Sequence, residues 1–382
     1  MILNGDAEGA VTIMLAGDVM LGRGIDQILP TPSPPQLFEP SVGSALGYVA
    51  LAERASGPIP RRVPFDYVWG DALAELAQCA PAVRIVNLET AVTRSDRPEA
   101  KAINYRMHPS NLPCIAAASI DCCVLANNHV LDWSMEGLGE TLAVLSAAGI
   151  GHAGAGLDAE AAAAPAVLDL PGGKRLLVYA AASDSSGVPP SWAAAPGRPG
   201  VNFHNERDEQ AIGPLARRIA RDRRDGDVVL FSIHWGPNWG YDVGPGARRF
   251  AHRLVEEAGV DVVHGHSSHH PKAIELHRGR PILYGCGDLI NDYEGIGGEA
   301  EFRPDLSLIY LLAIGSDGRC ASIEMLPFRI VRFQLSRASP EETGWLKDRL
   351  GREYRAFGLG LEVASRIDAA GGRFPTLRVQ PE

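Results

Sequence analysis

The segment VDVVHGHSSHH (260–270) decides how this chain folds. Its first half is apolar and β-branched, the composition of a strand buried on both faces. Its second half carries His264, His266, His269 and His270, four of the eleven histidines in the chain. Imidazoles at the end of a buried strand suit metal ligation or acid–base work. Gly265 permits a tight turn between the first two. His264 and His266 share a face if the strand continues. His269 and His270 cannot both join them, so at least one of the four takes a supporting or surface position.

The same pattern recurs along the chain. VTIMLAGDVM (11–20) ends at Asp18, AVRIVNLET (82–90) at Asn87 and Glu89, and IDCCVLANNHVLDW (120–133) at Asn127, Asn128 and His129. RLLVYAAAS (175–183), DVVLFSIHWG (227–236) and PILYGCGDLIND (281–292) continue the series, the last two with His234 and Asp288. Helical patterns lie between them at 67–80, 134–150, 209–224 and 245–260. Alternating strands and helices predict an α/β fold. In open α/β sheets ligands bind at the carboxyl ends of strands. Asp18, Glu89, His129, His234, His266 and Asp288 are therefore predicted to meet at one rim, which points to an enzyme.

Composition narrows the partners. The chain has 382 residues and a net charge of −10, which argues against a nucleic-acid or anionic-membrane surface. The six cysteines form no CxxC pair, as in a reducing cytoplasm. The N-terminus lacks a basic leader region and no apolar run is long enough to span a bilayer, so a cytoplasmic protein without a membrane partner is expected. Two Pro-rich stretches, 29–44 and 183–206, read as loops over the site, the second with an exposed-looking Trp192. Residues 306–335 read as paired strands of a second sheet, followed by a helix with Ser339 as N-cap and Pro340 at its first position.

Several side chains suggest particular roles. Asp132, three residues after His129, can hold that ring in one tautomer. Asp288, Asp292 and Glu294 are candidate orienters for the histidines of 264–270. Trp235, Trp239 and Tyr241 sit in a Gly/Pro loop, where aromatic residues suit a ligand wall. Cys286 has no activating neighbours for a nucleophile.

Together GDVMLGRG (17–24), FDYVWGD (65–71), NLETAVT (87–93), KAINYRMHP (101–109), ANNHVLDW (126–133), HWGPNWGY (234–241), HGHSSHHP (264–271) and YGCGDLINDYEG (284–295) resemble the CapA family of poly-γ-glutamate capsule synthesis proteins. That family is similar to the calcineurin-like metallophosphatases. The resemblance implies one domain over 1–382, a four-layer αββα sandwich and a divalent-metal rim. Asp18, Glu89, Asn128, His129, His234 and His266 with His269 fall at the metallophosphatase ligand positions. Three departures stand out: Met20 replaces a ligand histidine, Glu89 replaces an aspartate, and Ser267-Ser268 lengthens the last motif. They favour one hydrated, oxygen-rich ion (Ca, Mn or Zn) over a complete two-metal hydrolase centre.

The family includes soluble epimerases of ribosomal peptides, and that branch gives the leading expectation: a peptide epimerase inverting a Cα centre in a lasso-type precursor peptide. Inversion needs an acid/base group on each side of the carbon. His129 with Asp18 or Asp132 supplies one side, and His234 or His266 with Asp288 or Asp292 the other. Arg23, Lys101 and Arg106 are the expected substrate-binding cations that stabilise the enolate-like state. The alternatives are a metal-dependent phosphoesterase and a capsule poly-γ-glutamate biosynthesis protein.

Overall fold

Val11–Val19 is the strand on which the site is hung, and its pairing explains the architecture. Along one side it runs parallel to Val83–Leu88. Its other side is divided between two partners. Val11 to Leu15 pair antiparallel with Leu306–Ile314, and Asp18 and Val19 pair parallel with Asp288–Ile290. The computed structural model describes residues 9–206, 208, 211–367 and 371–382.

The first sheet has ten strands, in the order Leu359–Ile367, Arg373–Pro381, Cys320–Val331, Leu306–Ile314, Val11–Val19, Val83–Leu88, Cys122–Val124, Gly151–Ala153. Asp288–Ile290 and Gln334–Arg337 attach beside that path. The second has six: Ile274–His277, Arg280–Leu283, Val262–His266, Val228–His234, Lys174–Ala182, Ala166–Leu170. The sheets face each other, and His264 Nε2 reaches the Ala16 carbonyl across the gap at 3.0 Å. Helices such as Ile212–Asp222 and Pro245–Glu256 bury one apolar stripe each against the outside. The result is the four-layer α/β sandwich.

Several expectations need correction. Residues 306–335 do not start a second sheet. They extend the first, because the amino-terminal half of Val11–Val19 has an open edge that Leu306–Ile314 fills. PILYGCGDLIND is not one strand. Arg280–Leu283 lies in the second sheet and Asp288–Ile290 in the first. This crossing sets Asp288 directly beside Asp18. It depends on Gly17, since a Cβ there would lie 1.8 Å from the Gly287 carbonyl oxygen. Gly265 makes no turn; it lies inside Val262–His266, where a Cβ would meet the Leu283 oxygen at 2.5 Å. The helix Pro340–Arg355 has the expected Ser339 cap, closed into a capping box by Glu342, but a hairpin follows it. The leader-region reading rests largely on residues 1–8, outside the described residues. Among the described residues no helix is long and apolar enough to cross a membrane.

Candidate active site

Parallel strands end on the same side, so the strand-end residues gather. Asp18 is in register with Asn87 and Asp288, and His234 with His266. Asp18, Glu89, His234, His266 and Asp288 are all at most 2% exposed, and His129 and His269 are 7% exposed. Asp18, His234 and His266 each place one ligand-type atom within 4.8 Å of the others, and so do Asp18, His269 and Asp288. The two groups share Asp18. Glu89 Oε1 lies 3.7 Å from His129 Nε2 and 3.9 Å from His234 Nε2. Asn128 Oδ1 lies 3.2 Å from His234 Nε2.

A buried relay sets the tautomer of His266. A carbonyl can only accept, so the Ala16 oxygen requires a proton on His264 Nε2. His264 Nδ1 then accepts from the Ser232 hydroxyl at 3.0 Å, and Ser232 Oγ accepts from His266 Nε2 at 2.9 Å. This leaves His266 Nδ1 as a bare lone pair, 3.6 Å from Asp18 Oδ1 and 2.8 Å from His234 Nδ1. Burial holds His234 and His266 well below the ordinary histidine value, so both are neutral, the ligating form. His264 thus acts one layer behind the site.

The carboxylates carry the opposite imbalance. Burial, then repulsion from Asp288, raises Asp18 to about 7. Burial, then Asp18, pushes Glu89 well above the carboxylate range. Glu89 Oε2 is buried without a hydrogen-bond partner among the described residues. Three buried carboxylates, two bare imidazoles and an orphaned oxygen form a donor set that fits a divalent cation.

Two imidazoles beside this centre are shifted in opposite directions. His129 Nδ1 contacts Asp132 Oδ2 at 2.6 Å, and Lys101 Nζ donates to Asp132 Oδ1 at 2.7 Å and to the Asn128 carbonyl. Burial depresses His129 to about 4 despite Asp132. It is neutral, with Nε2 toward Glu89. His269 Nδ1 lies 2.9 Å from Asp288 Oδ1. Burial opposes its charge, but Asp288 and Asp18 outweigh burial and raise it. Asn291 holds the other Asp288 oxygen at 2.8 Å.

The Ser267-Ser268 extension is what brings His269 in. Ser267 has φ +98°, a conformation costing a non-glycine residue about 1–3 kcal/mol. Its N–H donates to Asp18 Oδ2 at 3.2 Å. His270 instead is fully buried away from Asp18 and stacks on Trp239 and Phe302.

The proposed substrate-binding cations divide. Lys101 stands at the site. Arg23 does not offer itself to a ligand: it is 3% exposed, with Nη1 on Glu39 at 3.1 Å and Nε on Asp292 at 3.1 Å. Asp292 therefore orients no histidine, and Glu294 accepts instead from the Phe333 N–H. Arg106 is also sealed, donating to the Ser95 and Pro34 carbonyls over the Trp133 ring. Trp235 stacks on Tyr284 and gives its indole N–H to the Tyr284 carbonyl. Tyr241 packs on His270 and Phe302, one layer out, and only Trp239 of the three touches His269. Trp192 is 8% exposed rather than open, with Lys101 Nζ 5.4 Å from its ring centre. Its loop pins the backbone after His234 through Ser183, Ser185 and Ser186. The loop 29–44 delivers Glu39 and the Pro34 carbonyl to the two arginines.

Sequence reasoning missed Ser232, Asn291, Tyr105 and Tyr293. Ser232 was accessible, being two residues before His234 on one strand face. Tyr105 packs edge-on against His129 at 4.5 Å and Tyr293 against His269 at 5.3 Å. Their hydroxyls meet at 3.2 Å above Arg23. This wall joins the two flanking imidazoles, and nothing in the local sequence announces it.

An α/β sandwich with buried acidic and imidazole groups at one strand-end rim is the class that the metallophosphatase-like proteins define. The chain belongs to the bacterial capsule synthesis protein PGA_cap family, whose model matches residues 12–293. It is 48% identical over 361 residues to a probable polyglutamine synthesis accessory protein of Mycobacterium tuberculosis, covering 94% of each chain. It is 23% identical over 288 residues to the PGA biosynthesis protein CapA of Bacillus subtilis, covering 75% of this chain and 64% of that protein. The capsule biosynthesis protein CapA of Bacillus anthracis is 21% identical over 292 residues, covering 74% of this chain and 60% of that one.

Proposed function

We propose that this chain performs metal-assisted acid/base chemistry on an amide-linked glutamate or glutamine polymer during its synthesis. One observation carries the reading: a buried carboxylate, Asp18, is common to two donor groups, with His129 on Asp132 and His269 on Asp288 as two carboxylate-oriented imidazoles beside it. The names of the relatives supply the polymer. Asp18, His234, His266, Glu89 and Asn128 would hold a divalent cation, with His269 and Asp288 on the far side of Asp18. Such an ion polarises an amide carbonyl and stabilises the oxyanion that forms.

The chain's own groups do the rest. Asp132 and Lys101 fix His129 with Nδ1–H inward, leaving Nε2 to take a proton. Asp288 fixes His269 the same way, so its Nε2 faces the site as lone pair or as N–H. Tyr105 and Tyr293 hold both rings and keep water from their backs. The test is mass spectrometry of α- and γ-linked oligoglutamate and oligoglutamine after incubation with metal-loaded protein. Amide cleavage or transfer that stops on chelation is expected. Intact oligomers alongside release of phosphate from a generic phosphoester would replace this reading with the phosphoesterase.

A second reading, the peptide epimerase, is favoured by that same pair of carboxylate-oriented imidazoles, which are shifted in opposite directions. The comparisons give the lasso-precursor branch no support, and the capsule reading fits them better. Incubation in deuterium oxide separates the two. Deuterium at one Cα with inversion and no cleavage selects the epimerase.

A further inference from the structure

Outside the metal-type centre lies a cavity of about 400 Å³, within the range of ligand sites. The loops that carry the site residues also build it. Trp235 and Gly236 follow His234, and Lys272 follows His269 by three residues. Lys272 is only 7% exposed. Its ammonium donates to the Asp242 carbonyl at 2.7 Å and has no carboxylate at ion-pair distance among the described residues. Two of its donors are left over. A buried cation without a counter-ion is costly, and an anionic ligand removes that cost.

Three further features point the same way. The helix Pro245–Glu256 opens into this cavity with no side-chain cap, so the first-turn amides of Gly246 and Ala247 are free among the described residues. Arg249 lines the wall with no partner among the described residues. Glu206 also lines the cavity, and its Oε2 is buried without a hydrogen bond among the described residues. Asp242 is exposed. A cavity with charges of both signs accepts a group that is anionic at one point and an N–H donor at another.

We propose that this cavity is an amino-acid subsite holding one residue of the substrate. Its carboxylate lies on Lys272, Arg249 and the amides of Gly246 and Ala247, and its amide or ammonium N–H on Glu206. The proposal rests on the polymer reading above and names which part of the chain is gripped. No bond changes at the subsite.

The test is calorimetric binding to chelator-treated protein, so it needs no turnover. The probes are L-glutamate, a γ-linked triglutamate, and glutarate, which lacks the nitrogen. Expected are measurable binding of the first two, at least a tenfold loss for Lys272→Met and Arg249→Ala, and a loss for Glu206→Gln with glutamate but not with glutarate. Triglutamate binding at least as tightly as glutamate supports a polymer residue in the subsite, and glutamate binding without measurable triglutamate binding overturns that occupant. Lys272→Met and Arg249→Ala both within twofold of the unmodified protein, or no binding of any probe at about 10 mM, overturns the subsite. Arg249→Ala and Glu206→Gln stand in if the buried Lys272 variant does not fold. Probe binding that needs Lys272 with no amide chemistry on any oligomer keeps the subsite and removes the polymer reading. Amide chemistry with variant-insensitive binding does the reverse.

Discussion

Two clusters in this molecule have the same ligand vocabulary and different electrostatics. At the strand-end rim, Asp18 meets His234 and His266 on one side and His269 and Asp288 on the other. At the outer edge of the second sheet, Glu275 meets His252 and His277. By residue type either would hold a metal. The edge cluster, however, is already neutralised. Arg248 lies on Glu275 Oε1 at 2.9 Å, Tyr284 donates to Oε2 at 2.7 Å, and His252 takes a further contact at 3.1 Å. Its two imidazoles stack at 3.8 Å, and His277 points Nε2 at Glu256. Glu275 sits below the ordinary glutamate value despite burial, because Arg248 stabilises its charge. At the rim Asp18 and Glu89 are raised and an oxygen is orphaned. Donor type alone does not make a cation site; uncompensated buried charge does.

The sharpest way to break this contrast is Asp18→Asn, which removes the carboxylate shared by both rim groups. Bound metal, measured by elemental analysis, should fall below that of the unmodified protein, and activity on amide oligomers by roughly a thousand-fold. The paired His252→Ala, His277→Ala variant should change neither. Metal lost from the edge variant instead would invert the comparison.

Next in size is Arg23→Met. It strands Asp292 and Glu39 in the interior, and breaking a buried pair costs about 3–5 kcal/mol. Urea unfolding should show this loss. A change within about 0.5 kcal/mol, with weakened substrate binding, would return Arg23 to a substrate role.

A smaller effect is expected from Ser232→Ala, which cuts the relay from Ala16 through His264 to His266. Removing a group that orients a ligating imidazole weakens metal affinity about 10–100-fold. Competition against a chromogenic chelator measures it, and unchanged affinity would show that the His266 tautomer is set elsewhere. Smallest is Glu275→Gln at the edge, with a stability loss of about 1 kcal/mol and unaltered metal content. Thermal unfolding and elemental analysis together check both halves.

Much of this was legible in the sequence. Short buried strands, each ending in Asp18, Asn87, Asn128-His129, His234 or His266, dictate a parallel α/β core. Parallel strands put those ends on one side. The Asp132–His129 contact follows from three-residue spacing in a turning segment. Ser339 and Pro340 announced their helix because capping is local physics.

What the sequence could not settle were the long-range partners. Arg23 and Asp292 are 269 residues apart, and only the folded chain shows that they cancel each other. Trp192 looks exposed in a Pro-rich loop and is buried because that loop folds back on Lys101. The register of Asp288 beside Asp18 needs one apolar run to leave one sheet and enter the other, which local periodicity does not encode. The sequence by itself determined which groups are available and on which rim they stand. Tertiary structure alone decided which charges were left uncompensated there, because compensation depends on distances between side chains that the chain brings together only on folding.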